Sequence, residues 1–294
     1  MGFRVVLVTM ALLGPAVGLA TAGHAEGPVA QVPGQSKAQT PPSITAFSQG
    51  LMIGDTLDVM RAEGLKNSTD LADSLFAGEN AAAWAALVSL IYDTSKMQAR
   101  FDQGLAQALG DDRKTLIAAQ DFFASGLGQR VLRLEIEARR TLLDDAAETA
   151  AKAAWGDMKT SNAARADQII RFGGINDLIE SNVMGALNAN LAFYRGLSAQ
   201  GGFGDPMPED QMLAEVWGQE PDIRKETTDW LYPFLALAYQ PLSDAEVDSY
   251  IQFSQTDAGK KINAAIFVAF DGVMLQISTE LGTAAGQLMA ATDI

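Results

Sequence analysis

Apolar side chains recur at three- and four-residue intervals from about Ile44 to the C-terminus. This spacing lines one face of an α-helix, and the alternation typical of β-strands is absent. We therefore predict an all-α protein, a duplicated bundle of roughly ten helices joined by short loops. The clearest periodic runs are Leu127, Val131, Leu134, Ala138 and Leu142, and Ile179, Val183, Leu187, Leu191 and Tyr194.

Glycine and proline residues separate the periodic stretches and predict where helices end. Ser243 and Glu246 have the spacing of a capping box, in which each side chain accepts a hydrogen bond from an otherwise free amide at a helix start. Helix ends are predicted at Gly64, Gly78, Gly110, the loop 201–206 and Pro241.

Two segments of the chain resemble each other at an offset of 131 positions, about half the length of the folded part. Each predicts a corner between two helices, with a phenylalanine sealing it, a hydroxyl residue capping the second helix and a glycine allowing close approach. This pattern predicts an internal duplication. The shared positions are Phe122, Ser125 and Gly128 in the first segment, and Phe253, Thr256 and Gly259 in the second.

The helices that follow the two corners differ in polarity. Arg139 in the first aligns with Phe270 in the second, and the second helix is apolar over more of its circumference. We therefore expect the C-terminal helix to lie nearer the centre of the bundle.

The corner pattern Phe-x-x-[Ser/Thr]-x-x-Gly-[Gln/Lys]-[Lys/Arg]-[Val/Ile], preceded by Leu-Ser-Asp-Ala-Glu at 242–246, resembles the signature of the bacterial domain-of-unknown-function family 2059. The similarity covers residues 241–278, and a divergent copy at 111–140 lacks the leading Leu-Ser pair. The resemblance implies an exported helical protein of a Gram-negative bacterium. It implies no catalytic residues, because the family has no assigned biochemistry.

The N-terminus has the layout of a secretory signal peptide, with a basic residue, an apolar run and small residues at the predicted cleavage site. Cleavage after Ala22 or after Ala25 fits the small-x-small rule, and we assign residues 1–25 to the signal peptide. Residues 26–43 are rich in proline and glutamine and are expected to form a flexible tether. These features predict a periplasmic protein.

The folded part is expected to comprise two helical halves, residues 44–160 and residues 161–294, the second containing the better family match. The chain has no cysteine, and its one histidine, His24, lies in the segment expected to be removed. This composition excludes Ser-His-Asp and Cys-His catalysis, Cys/His zinc sites and iron–sulfur clusters. We therefore expect no catalytic residue, no metal and no cofactor.

Carboxylates are the remaining candidates for catalysis. Asp144 and Glu148 lie one helical turn apart, where a pair of acids could serve a glycan hydrolase. The same pair is also typical of a solvated helix surface.

The formal net charge is −15, and residues 201–294 contain 15 acidic and only 4 basic side chains. An acidic surface repels phosphate backbones and anionic headgroups, which disfavours nucleic acid and peripheral membrane binding. Asp271 and Glu280 argue against a membrane span in the C-terminal helix. We therefore expect no nucleic acid partner and no stable span after cleavage.

Two polar clusters are the candidate ligand or partner surface. Mixtures of amide, aromatic and charged groups line binding surfaces, but they also form buried hydrogen-bonding clamps between helices. Both interpretations stay open at this point, and we expect Arg195 to pair with Glu220. The residues are Asn188, Asn190, Tyr194 and Arg195 in one cluster, and Trp217, Gln219 and Glu220 in the other.

Together these features predict a non-enzymatic interaction scaffold in the cell envelope with an unknown protein partner. A first alternative is a carrier of a small apolar or lipid ligand, held in a cavity between the halves. A second is the carboxylate-dependent glycan hydrolase. In each case we expect the function to lie at the junction of the halves.

Overall fold

The computed structural model describes residues 42–76, 80–204 and 207–292, and in these residues the chain forms thirteen α-helices and no strand. The all-α prediction is confirmed. The described residues form more helices than the predicted ten because they include short helices, such as α1 before α2 and α3 between α2 and α4. The predicted signal peptide and most of the predicted tether lie outside the described residues.

The helices are numbered in chain order. The first seven are α1 (Ile44–Gly50), α2 (Ile53–Phe76), α3 (Ala81–Ile91), α4 (Thr94–Leu109), α5 (Arg113–Phe123), α6 (Gly126–Thr141) and α7 (Asp145–Ser161). The remaining six are α8 (Ala163–Ile175), α9 (Leu178–Ala199), α10 (Glu209–Gly218), α11 (Glu220–Tyr239), α12 (Asp244–Gln255) and α13 (Asp257–Thr292).

The helix order before α7 recurs after it. Met52 and Asp177 have φ angles of 56° and 51°, and each directly precedes a long helix, α2 or α9. Helix α1 packs against α2, α4 and α5, and α8 packs against the corresponding α9, α11 and α12. The boundary predicted between residues 160 and 161 falls at the end of α7, the helix between the two successions.

Both predicted corners have the expected hydrogen bonds and the expected close approach. The Ser125 Oγ accepts a hydrogen bond from the Gly128 amide at 3.0 Å, and the Thr256 Oγ1 accepts one from the Gly259 amide at 2.9 Å. A Cβ atom on Gly128 would lie 2.3 Å from the carbonyl oxygen of Phe122, in the preceding helix. A Cβ atom on Gly259 would lie 2.1 Å from the carbonyl oxygen of Phe253, again in the preceding helix.

The two corners also contact each other. The rings of Phe122 and Phe253 stack with their centroids 3.9 Å apart and their planes 3° from parallel. On either side of this stack an ion pair joins the halves. These pairs are Arg130 with Glu246, at the start of α12, and Lys261 with Asp112, at the start of α5, each at 2.6 Å.

Helix α13 lies in the core and packs along α9 and α4. The α9 contact is backbone against backbone, since a Cβ on Gly282 would lie 2.1 Å from the Phe193 carbonyl oxygen. By length and composition alone α13 could also cross a membrane, but half of its apolar window is buried against the protein. These contacts account for its apolar character without a bilayer.

One predicted helix end is wrong. Gly64 lies inside α2, where the ring of Tyr92 fills the space that a side chain would occupy: a Cβ would lie 2.3 Å from the ring. The helix therefore continues through the glycine, and Tyr92 packs onto its backbone. The end at Gly110 is confirmed, with φ at +52°, as is the capping box at Ser243 and Glu246. Gly78 lies outside the described residues.

The corner glycines have a testable effect on stability. Gly259→Ala should lower the free energy of unfolding by about 1–3 kcal/mol, because its Cβ would overlap the Phe253 carbonyl. Gly272→Ala in the same helix is the matched control: its Cβ meets nothing within 4 Å, so the higher helix propensity of alanine should stabilise by up to about 1 kcal/mol. Urea unfolding of both variants measures the difference. Equal effects of the same sign would contradict the close approach at the corner.

Candidate functional site

Three of the predicted site residues form a clamp between α9 and the start of α11. Asn190 and Tyr194 are buried on α9, and the Asn190 Nδ2 donates a hydrogen bond to the Gln219 Oε1 at 2.9 Å. Tyr194 also hydrogen-bonds Gln219, while burial raises the pKa of its phenol. This arrangement matches the clamp interpretation for Asn190, Tyr194 and Gln219.

The expected pair between Arg195 and Glu220 is wrong. Arg195 instead pairs with Glu209, at the start of α10, because α10 packs against α9 and brings its first turn to the guanidinium. Glu220 pairs one turn along its own helix with Arg224, at 2.6 Å, and Arg224 also reaches Glu180 on α9. Arg195 and Glu220 therefore stabilise separate contacts.

Asn188 and Trp217 are exposed, and Trp217 is the centre of an apolar surface on α10. Its side chain is 53% exposed, and that of Leu213, one helical turn earlier, is 37% exposed. We call this surface the α10 face: Leu213 and Trp217, with the exposed acidic residue Asp210 one turn before Leu213 on the same side of the helix.

A second feature is a cavity between helices of the two predicted halves; it is partly open to solvent and has a volume of about 60 Å³. Its walls come from α2 and α6 on one side and from α11 and α13 on the other, and they are mainly apolar. We call it the junction cavity. Its apolar lining includes Leu132, Ile136, Phe234, Ile266 and Phe270.

Two charged residues, Glu135 and Arg139, stand one turn apart in this apolar wall. Arg139 is only 4% exposed. Its Nε and Nη2 donate hydrogen bonds to the two carboxylate oxygens of Glu63, at 2.7 and 2.6 Å. Its third nitrogen, Nη1, has no hydrogen-bond partner. Leaving such a buried donor unpaired costs about 1–3 kcal/mol. The Glu135 Oε1 accepts a hydrogen bond from the Tyr239 hydroxyl at 2.7 Å.

Burial determines the protonation of Glu135. Loss of hydration raises the pKa of its carboxyl to about 8, and the hydrogen bond from Tyr239 only partly offsets this. At neutral pH the cavity wall therefore holds a neutral carboxyl group beside the Arg139–Glu63 ion pair.

The charged residues occupy positions where the second half is apolar. At the offset of 131, Glu135 corresponds to Ile266 and Arg139 to Phe270, and all four residues line the junction cavity. The difference at Arg139 was predicted from the sequence, whereas the one at Glu135 was not. The signal was present, because both residues continue the apolar stripe that begins at Val131, at intervals of four.

A wider cleft lies on the surface outside the cavity. Its volume is about 290 Å³, and it is lined by residues of α2, α7 and α11 that include Glu63, Lys66, Lys152 and Trp230. We call it the outer cleft. Two contacts separate it from the junction cavity: Glu63 pairs with Arg139, and the Trp230 ring stacks on Phe234 with centroids 4.9 Å apart.

The candidate hydrolase carboxylates each have a structural partner. The Asp144 carboxylate caps α7 by accepting from the Ala147 amide at 2.8 Å, and Glu148 pairs with Lys152. In the described part of the chain, no three acidic or histidine side chains come together as a set of metal ligands.

The chain matches no known protein-family model, no curated protein and no solved structure. The resemblance to family 2059 thus stays a prediction that depends on the corner residues. The geometry of the α10 face and of the junction cavity is the basis on which a function can be proposed.

The raised pKa of Glu135 predicts a pH dependence of stability. In the unfolded chain the Glu135 carboxyl loses its proton above about pH 4.5, whereas in the folded protein it keeps the proton until about pH 8. Because the folded state binds more protons between these values, the free energy of unfolding should fall as pH rises from about 4.5 to 8. The loss should approach about 1.4 kcal/mol per pH unit in wild type. Glu135→Gln should remove this slope between about pH 6 and pH 8 while keeping an acceptor for Tyr239. Below about pH 6 a slope should remain in the variant, because burial also raises the pKa of Asp271 to about 6.

Urea unfolding at a series of pH values measures the slope. Glu137→Gln is the matched control, since Glu137 is exposed on the same helix, and this variant should keep the wild-type slope. Identical slopes for wild type and Glu135→Gln would show that Glu135 is ionised at neutral pH.

Proposed function

We propose that this protein is a non-enzymatic interaction protein of the cell envelope, and that its α10 face binds a basic, apolar segment of a partner protein. The observation that carries the proposal is the exposure of Trp217. Trp84 and Trp155 are 1% and 8% exposed, whereas Trp217 has more than half of its surface in solvent. Large aromatic side chains of this kind dominate the energy of protein interfaces.

The surroundings of Trp217 indicate the chemistry of the partner. Leu213 extends the apolar surface by one turn, and Asp210 forms an acidic rim beside it. Residues 201–294 hold 15 acidic and 4 basic side chains, so a cationic segment gains from the wider field as well. A helix with leucine on one face and lysine on the other has both required properties.

The location and architecture of the protein belong to the same proposal. We infer export to the periplasm from the signal-peptide layout of residues 1–25, and a duplicated origin from the alignment of the two corners. The recurring helix order and the recurring corner hydrogen bonds support the duplication. Both features agree with what the resemblance to family 2059 implies.

The two alternative functions differ in their support. The glycan hydrolase gains no support from its two candidate carboxylates, because Asp144 caps a helix and Glu148 is paired with a lysine. A carrier of small ligands is favoured by one observation, the junction cavity with an unpaired donor in its wall. A full lipid chain is too large for the cavity as it stands, since a cavity of about 150 Å³ is needed for benzene.

A designed peptide tests the α10 face directly. A helical peptide of leucine and lysine should bind the wild-type protein, and Trp217→Ala should weaken this binding by about ten-fold or more, since a central tryptophan contributes about 2 kcal/mol or more to an interface. Titration calorimetry at low salt measures both affinities.

Two controls make the result specific. Leu90→Ala removes an apolar side chain that is 63% exposed on α3, and it should leave the affinity unchanged. A peptide with glutamate in place of lysine should not bind, because the acidic rim repels it. If Trp217→Ala and Leu90→Ala behave alike, or if the glutamate peptide binds equally well, the α10 face is not the binding surface.

A further inference from the structure

The junction cavity contains a hydrogen-bond donor that the fold itself does not satisfy. Arg139 is nine-tenths buried or more, two of its three nitrogens are taken by Glu63, and its Nη1 has no partner. Buried polar atoms in native proteins are nearly always paired, so an unpaired one in the wall of a cavity indicates a missing acceptor.

The surrounding charges restrict what that acceptor can be. Arg139 and Glu63 neutralise each other, and the carboxyl of Glu135 accepts a hydrogen bond from the Tyr239 hydroxyl. A bound anion would leave an excess negative charge in an apolar site, and an ammonium group would face the Arg139 guanidinium. Only an uncharged acceptor satisfies the Nη1 without adding a buried charge.

The remaining walls favour a hydrocarbon body. Leu132, Ile136, Phe234, Ile266 and Phe270 are buried apolar side chains that line the same cavity. Its volume of about 60 Å³ exceeds the 10–15 Å³ or so that one water needs and is well below the roughly 150 Å³ that holds benzene. The occupant therefore has only a few non-hydrogen atoms.

The outer cleft adjoins the cavity. Glu63 lines the cleft and is the partner of Arg139, which lines the cavity. A molecule in the cleft is thus separated from the cavity by one ion pair and by the Trp230–Phe234 stack.

We propose that the junction cavity is a binding site for a small uncharged molecule with a short hydrocarbon body and one carbonyl or hydroxyl oxygen, which accepts a hydrogen bond from the Arg139 Nη1. The site is separate from the α10 face, so it does not depend on the partner proposed above. It also explains why charged residues occur here in the first half, where the second half has Ile266 and Phe270.

A series of probes of matched size tests the proposed chemistry. Ethanol, propane, formate and ethylammonium have equal numbers of non-hydrogen atoms, are all much smaller than benzene and differ only in their polar group. We expect ethanol to shift the methyl resonances of Ile136 and Ile266 and to bind about ten-fold more tightly than the other three, the factor expected for a hydrogen bond to a charged donor.

Two variants separate the hydrogen bond from the fit. Arg139→Met combined with Glu63→Gln removes the donor and its counter-charge together, and ethanol should then bind no better than propane. Leu132→Ala enlarges the cavity without touching Arg139, so it should raise the affinity for ethanol and propane alike and keep the preference. This second variant tests the proposal even where the first does not fold.

Three results would overturn the proposal. Equal binding of ethanol and propane to the wild type would remove the role of Arg139. Tighter binding of formate or ethylammonium would mean that the charge argument is wrong. No shift of either isoleucine methyl with any probe would leave a cavity that holds water only.

Discussion

The backbones of α9 and α13 touch along a row of glycines. A Cβ on Gly196 would lie 2.5 Å from the Thr279 carbonyl oxygen, and one on Gly282 would lie 2.1 Å from the Phe193 carbonyl oxygen. Such a contact leaves little freedom for one helix to slide or rotate on the other. The glycine contact fixes the axis of α13, the longest of the described helices, and α4 packs against another part of α13. The early turns of α13 then bring Ile266 and Phe270 to the junction cavity.

The second constraint is the contact between the two corners. Because Phe122, at the end of α5, and Phe253, near the end of α12, stack face to face, the two corners lie against each other. The flanking pairs of Arg130 and Lys261 are partly exposed and screened by solvent, so the ring stack and the corner glycines carry more of the stability. The helices that follow the two corners, α6 and α13, both contribute walls to the junction cavity.

The sequence predicts the parts of this structure that depend on local chemistry. Helical periodicity, the caps at Ser125, Thr256 and Ser243, and the glycine end at Gly110 are all properties of a few neighbouring residues. The prediction failed where distant residues decide. A glycine inside a helix costs only about 1 kcal/mol, and the packing of Tyr92 outweighs this at Gly64. Arg195 pairs with Glu209 because of how α10 docks on α9, which no local pattern contains.

The charged residues of the junction cavity are harder to explain by folding than by binding. Replacing a buried ion pair with apolar side chains of similar volume is often neutral or stabilising, by about 1–4 kcal/mol. At the offset of 131 the sequence has Ile266 and Phe270, which are buried and line the same cavity. Burial raises the pKa of Glu135, whose carboxyl accepts a hydrogen bond from Tyr239, while one nitrogen of Arg139 has no hydrogen-bond partner. The proposed ligand, with its uncharged acceptor, supplies a reason for the unpaired nitrogen of Arg139.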